Sequence, residues 1–139
     1  MTDTILEIQG AVVARLKADS AVAAIVGAKV YDPVPAEAAV PYISIGPSYA
    51  VSEDAECIDA DEISFQIDCW SGDSGSGGGS FAQVRRTADA VRRALKADLT
   101  IADNALVLFE HRQTRVFRDP DGVTNHAAVT FTAVVERSA

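Results

Sequence analysis

Three groups of residues in this chain are of types that could do chemistry. The first is a thiol with two imidazoles. Cys69 with His111 or His126 would form a nucleophile and base if the fold brought them together, since such partners meet in space rather than in sequence. Cys69, however, alternates in step with Ile63, Phe65 and Ile67, and on that apolar side a cysteine behaves as a small hydrophobic residue. His126 stands just past a turn and is expected to be exposed. Two histidines fall short of a zinc set, and no serine lies in a GxSxG elbow, so no catalytic residue and no metal ligand is assigned. The second group is the acidic run Glu53, Asp54, Glu56, Asp59, Asp61 and Glu62. Clustered carboxylates can ligate calcium or magnesium, but the spacing and internal glycine of an EF-hand are missing, and a solvated loop is the expectation.

The third group is Ser71-Gly-Asp-Ser-Gly-Ser-Gly-Gly-Gly-Ser80, which has no side chain able to enter a core and a backbone costly to order. A mobile loop is expected there. Its place between a strand and a helix invites a phosphate-binding reading, because the first amides of a helix carry partial positive charge. The lysine of GxxxxGK[ST] is absent, and GxGxxG works only in a parallel unit. A small α+β domain holding an anion on the 72–80 loop remains the alternative function, and no cofactor is expected.

The elements that must position these residues centre on Glu62 to Ala97. Ile63, Phe65, Ile67 and Cys69 alternate with Ser64, Gln66 and Asp68, the period of a strand with one face buried and one wet. Trp70 falls on the wet face, where an aromatic is either covered by a neighbouring loop or waits for a partner. Ser80 can cap a helix in which Phe81, Val84, Ala88, Val91 and Leu95 form one apolar stripe. On its far side Asp89 is spaced to face both Arg86 and Arg93, either as weak surface ion pairs or as a basic ridge for an acidic partner, including another copy of this chain.

Before this unit, Thr4 and Glu7 have capping-box spacing, and Ile5, Ile8, Val12 and Leu16, with Leu6 and Val13 beside them, mark an amphipathic helix. A second short helix over Ala21 to Val26 starts at Asp19 or Ser20 and stops at Gly27. Val30 and Tyr31 follow as a short extended piece, Asp32-Pro-Val-Pro35 as a rigid connector, and Pro41 to Gly46 as a strand that can run past Pro47 toward Val51. After it, Ala105 to Phe109 opens a strand whose pattern loosens over Glu110 to Thr114, as a bulge would make it. Asp119-Pro-Asp-Gly122 turns the chain into a last strand with Ala127, Val129, Phe131, Ala133 and Val135 on one face. The fold class is α+β, an antiparallel sheet of about four strands with two main helices on one face, in a single domain over residues 1–139.

At 139 residues and 48% hydrophobic content, the chain can bury roughly two-thirds of its unfolded surface as one domain. A net charge of -8, with the basic residues gathered on one helix and one strand, argues against gripping nucleic acid. Two cysteines without CxxC spacing point to a reducing compartment, and no apolar run reaches the roughly 20 residues that cross a bilayer.

Several weak marks in succession resemble the phage tail-terminator, or tail-completion, proteins of long-tailed phages and gene transfer agents. They are Ile25-Val-Gly27, Val30-Tyr-Asp-Pro33, Pro41-Tyr-Ile-Ser-Ile-Gly46, Cys69-Trp-Ser71, the glycine-serine loop feeding a helix that ends near Leu95, and the turn at Asp119-Pro-Asp-Gly122. The resemblance covers nearly the whole chain, although the loop at Gly72 to Ser80 is longer and richer in glycine than the family pattern. It implies a non-enzymatic virion protein, made in the bacterial cytoplasm, that sits at the head-tail junction as a ring of six copies. Its partners would be itself, the tail tube protein and a head connector or stopper, with DNA passing through ungripped. Interface candidates are then Trp70, Gly72, Asp73, Gly77, Gly78, Arg86 and Arg93, and on the acidic side Glu53, Asp54, Glu56 and Asp59.

Overall fold

The structure, a computed structural model, describes residues 2–72, 80–96 and 99–138. Along the chain the elements are α1 (Thr4–Ala18), α2 (Ser20–Val26), β1 (Val30–Tyr31), β2 (Tyr42–Ser52), β3 (Ala60–Gly72), α3 (Ala82–Ala94), β4 (Ala105–Arg118) and β5 (Thr124–Glu136). The two cleanest alternations in the sequence pair with each other. β3 and β5 run antiparallel from Ala60 opposite Glu136 to Gly72 opposite Thr124 without a bulge. β2 joins the far side of β3 and β4 the far side of β5, which gives the order β1-β2-β3-β5-β4.

The sheet therefore has five strands rather than about four, and it is mostly, not wholly, antiparallel. The fifth is the extended piece Val30–Tyr31, which pairs parallel with Ile43 and Ser44. Two residues are too short to show a period. What places them is Gly27, whose φ of 64° ends α2 and turns the chain back so that Lys29 can accept the Ile43 amide at 2.9 Å. Ser71 and Gly72, expected in the loop, are the last residues of β3. Asp73, Gly77, Gly78 and the expected mobility of their loop lie outside the described residues.

One face of the sheet carries the core. Ile63, Phe65, Ile67 and Cys69 from β3 and Ala127, Val129, Phe131, Ala133 and Val135 from β5 join one buried cluster with Ile8, Val12 and Leu16 of α1, Val22 and Val26 of α2, and Val84, Ala88 and Val91 of α3. Phe65 and Phe131 are direct cross-strand partners at its centre. Each large side chain so buried stabilises the fold by about 1.5–3 kcal/mol. Leu6, expected beside the α1 stripe, is instead 61% exposed. The bulges in β4 fall between Leu106 and Leu108 and between His111 and Gln113, within and just before the stretch where the pattern loosens.

Two helix starts differ from the capping pattern in the sequence. Asp3 caps α1, accepting from the Leu6 amide at 2.9 Å, because the Thr4 hydroxyl is buried and donates to Asp61 instead. Ser80 does accept from Ala82 N at 2.9 Å, one position ahead of the α3 cap residue Phe81. Glu7 does not close a capping box. Its carboxylate accepts the backbone amides of Ala102, Asp103 and Asn104 and the Asn104 side-chain amide, tying the first turn of α1 to the chain leading into β4. Asn104 also donates to the Thr2 carbonyl and accepts from the Ser138 amide, so both ends of the described chain meet at this point.

Loss of hydration would raise the Glu7 pKa, but the hydrogen bonds led by the Asp103 amide outweigh it and hold the carboxyl below its ordinary 4.5. A depressed folded-state pKa contributes stability that is present above the unfolded value and lost as pH falls through the folded one. Glu7→Gln should therefore melt at a lower temperature than the parent at neutral pH, with the gap narrowing below about pH 4.5. Melting curves across pH 3 to 7 check this, and a gap that is constant with pH would contradict it.

Candidate interaction surface

The face of the sheet away from the helices is where the unused chemistry collects. The register places Tyr42, Trp70, His126 and Phe117 side by side on neighbouring strands. Trp70 stacks on His126 at 3.9 Å between ring centroids and on Tyr42 at 6.1 Å, while Tyr31 and Phe117 extend the row at either end. The Arg115 guanidinium lies 5.3 Å from the Phe117 ring, within cation–π range. All five strands thus contribute one ring to a row that crosses the sheet. Among the described residues Trp70 is flanked by rings of the neighbouring strands, and its indole N–H donates to Ser44 Oγ at 2.9 Å. The single-residue alternation flagged Trp70 but gave no sign of Tyr31, Tyr42 or Phe117, because a row across strands is visible only once strand order is known.

Beneath the row is a polar group that local patterning misplaces. Asp68, expected on the wet face, is only 7% exposed, and His126, expected to be exposed, has a side chain only 12% exposed. His126 Nε2 donates to Asp68 Oδ1 at 2.7 Å, and Gln66 Nε2 donates to the same oxygen at 2.8 Å. The other carboxylate oxygen faces Gly46, where an added Cβ would come within 2.5 Å of it. Gly46 is needed for this close approach, and it sits in the β2 bulge between Ile45 and Ser48.

The thiol and the imidazoles are kept apart. Cys69 is fully buried in the core, and burial, with a smaller contribution from the Asp68 charge, raises its pKa far above the thiol range. Cys69 and Trp70 are successive residues of β3, so Cys69 points to the core while His126, opposite Trp70, lies on the other face. His111 pairs with Thr114 Oγ1 at 2.7 Å and packs edge-on to Phe131.

The charged candidates sort differently. Arg86, Asp89 and Arg93 all lie on the exposed side of α3, but Asp89 bonds Arg93 alone, at 2.8 Å, and among the described residues Arg86 has no ion pair. At this exposure the pair is worth about 0.3–0.5 kcal/mol. Glu53, Asp54, Glu56 and Asp59 are exposed at the β2–β3 turn, where Asp54 accepts from Ala60 N at 3.1 Å. The run is not uniformly solvated, since Asp61 is buried and bonded by Thr4 and Arg137, and Arg137 also reaches Asp59 at 3.6 Å. Lost hydration and then the bond and charge of Asp54 raise the Asp59 pKa, against the lowering pull of Arg137. Among the described residues no group of His, Cys, Asp and Glu is arranged to hold a metal, and no helix is long and apolar enough to cross a membrane. Gly72 is hemmed in by the Val123 carbonyl and Val40, each 3.3 Å from where a Cβ would stand.

A family model described as "Tail completion protein gp17" matches residues 10–136, and the chain belongs to that family. It is therefore a structural tail protein of a phage-like particle. Among solved structures it is similar to a chain described as "Virion of native gene transfer agent (GTA) particle", with 28% identity and a TM-score of 0.85 over 98% of this chain and 99% of that one. No curated protein matches.

Removing the His126 ring should leave Asp68 buried with one partner fewer, so His126→Ala is expected to lose about 1–3 kcal/mol in denaturant unfolding. A loss within 0.5 kcal/mol of zero, the range of about ±0.5 kcal/mol ordinary for surface changes, would show that the pair holds nothing together.

Proposed function

We propose that this chain closes the tail. Copies assemble as a ring, six in number on the family resemblance, on the finished end of the tail tube, stop further polymerisation there, and offer the opposite surface to a head connector or stopper protein. The observation that carries this reading is the family match over residues 10–136, reinforced by structural likeness along almost the full length to a chain of a virion. The surface chemistry is consistent with it. A ring needs a heterologous contact made of two different complementary patches, and this chain carries arginines on α3 and carboxylates at the β2–β3 turn.

A net charge of -8 also suits a ring through which DNA passes, because a like-charged wall does not hold the duplex. The work is done by shape and surface, without a reacting group. Light scattering of the purified chain with and without tail tubes tests the reading. Multimers that add at tube ends are expected, and a chain that remains monomeric beside intact tubes would overturn it. Arg86→Glu combined with Arg93→Glu should weaken ring formation at least about tenfold, the effect of about 1.4 kcal/mol. Unchanged assembly would take the α3 ridge out of the interface.

A further inference from the structure

Charge is distributed across this molecule by strand order. From residue 30 to residue 84 there are ten carboxylates and neither lysine nor arginine, whereas eight of the twelve basic residues fall between Arg85 and Arg118. The first stretch builds β1, β2 and β3, and the second builds α3 and β4. Because the order is β1-β2-β3-β5-β4, the arginines of β4 stand on one lateral edge, whereas at the opposite edge β1 and β2 themselves carry no charged residue and carboxylates lie just past their ends, Asp32 and Glu37 after β1 and Glu53 and Asp54 after β2.

Both edges also have open backbone. β4 is a 14-residue strand paired, among the described residues, with β5 alone, and its residues Arg112, Arg115 and Arg118 are exposed. At the other edge β1 covers only Ile43 and Ser44, leaving Ser48–Ser52 of β2 without an outer neighbour among the described residues. Long open edges usually invite pairing with another chain. Here like charge opposes β4 pairing with a second β4, while the β1–β2 edge has no basic residue on its strands to repel the β4 arginines and has carboxylates just past their ends to attract them.

We propose that the sheet of one copy continues into the sheet of the next, with the outer edge of β4 adding antiparallel to the Ser48–Ser52 half of β2. This rests on the ring reading above and names its interface. The polarity fits, since β2 and β5 run one way and β3 and β4 the other, so a sheet continued with the same face outward sets β4 against β2 in opposite directions. The side chains fit as well. Followed along the ladder, Leu108 is level with Val134, Glu62 and Val51, so the exposed apolar Leu108 on one edge meets the exposed Val51 on the other, with Val107 beside it in the bulge and Tyr49 level with Glu110. At the other end Arg115 is level with Ala128, Asp68, Ser44 and Tyr31, beside Asp32. Such a contact uses two different patches on each copy, the kind that closes into a ring when the rotation allows.

Amide hydrogen exchange on the free chain and on the assembled ring tests this. The β4 amides not bonded to β5, and those of Ser48–Ser52, should slow at least about tenfold on assembly. Arg112→Glu with Arg115→Glu should weaken assembly at least about tenfold while lowering the melting temperature of the monomer by no more than a few degrees, the share of the exposed Arg115–Phe117 and Arg112–Glu110 contacts, and assembly of the parent should weaken as salt rises. If rings form but these amides exchange as in the free chain, or the double reversal assembles normally, the strand-addition interface is wrong and the ring reading stands. If the parent forms no ring even on tail tubes, the ring reading fails and this interface fails with it.

Discussion

The structure depends on the uninterrupted antiparallel pairing of β3 with β5. Thirteen residues of each strand face each other with no bulge. That single register sends Ile63, Phe65, Ile67 and Cys69, together with Ala127, Val129, Phe131, Ala133 and Val135, to the helix side, and the aromatic and polar residues to the other. A slip of β3 by one residue would turn Ile63, Phe65, Ile67 and Cys69 away from the helices and set Ser64, Gln66 and Asp68 beneath them. Everything else is attached to this pair: β2 and β4 extend it, the three helices cover one face, and the termini are sewn to one end through Asn104, Glu7 and Arg137.

The same register explains why the surfaces are specialised. On the helix side the sheet is filled by the core, and what faces outward there is the outer surface of the helices, including the α3 arginines. The open side carries a row of rings held together by their own stacking and by Asp68 below, which makes it a firm surface rather than a pliable one. Charge adds direction along a third axis, from the uncharged β1 and β2 strands, with carboxylates just past their ends, to the arginines of β4. A protein whose two lateral edges differ in charge, and whose backbone is open at both among the described residues, is suited to standing beside copies of itself.

Much of this was legible in the sequence, and the rest was hidden for identifiable reasons. The central strand, α3 and the last hairpin were readable because each has a long period of its own, with Gly27 and Gly122 marking stops that need positive φ. The fifth strand was not, because Val30–Tyr31 has no period and is a strand only by virtue of Ile43 beside it. The α1 cap is Asp3 rather than Thr4, one residue from the capping-box spacing, because Thr4 is claimed by Asp61, a partner 57 positions away. His126 and Asp68 were placed in water for the same reason: alternation gives the face of a residue but not the neighbours that cover it. Of the interface candidates, the charged residues of α3 and of the β2–β3 turn are where the sequence put them, on the surface, whereas Trp70 is partly enclosed and Gly72 is built into a strand.

The account's central claim is that this chain acts by capping a growing polymer with its surface. The most direct measurement is the length of tails assembled with and without it, read by electron microscopy. Tails of one fixed length with the protein present, and tubes that run on past that length in its absence, are the result the account predicts. The same length distribution in both preparations would contradict it.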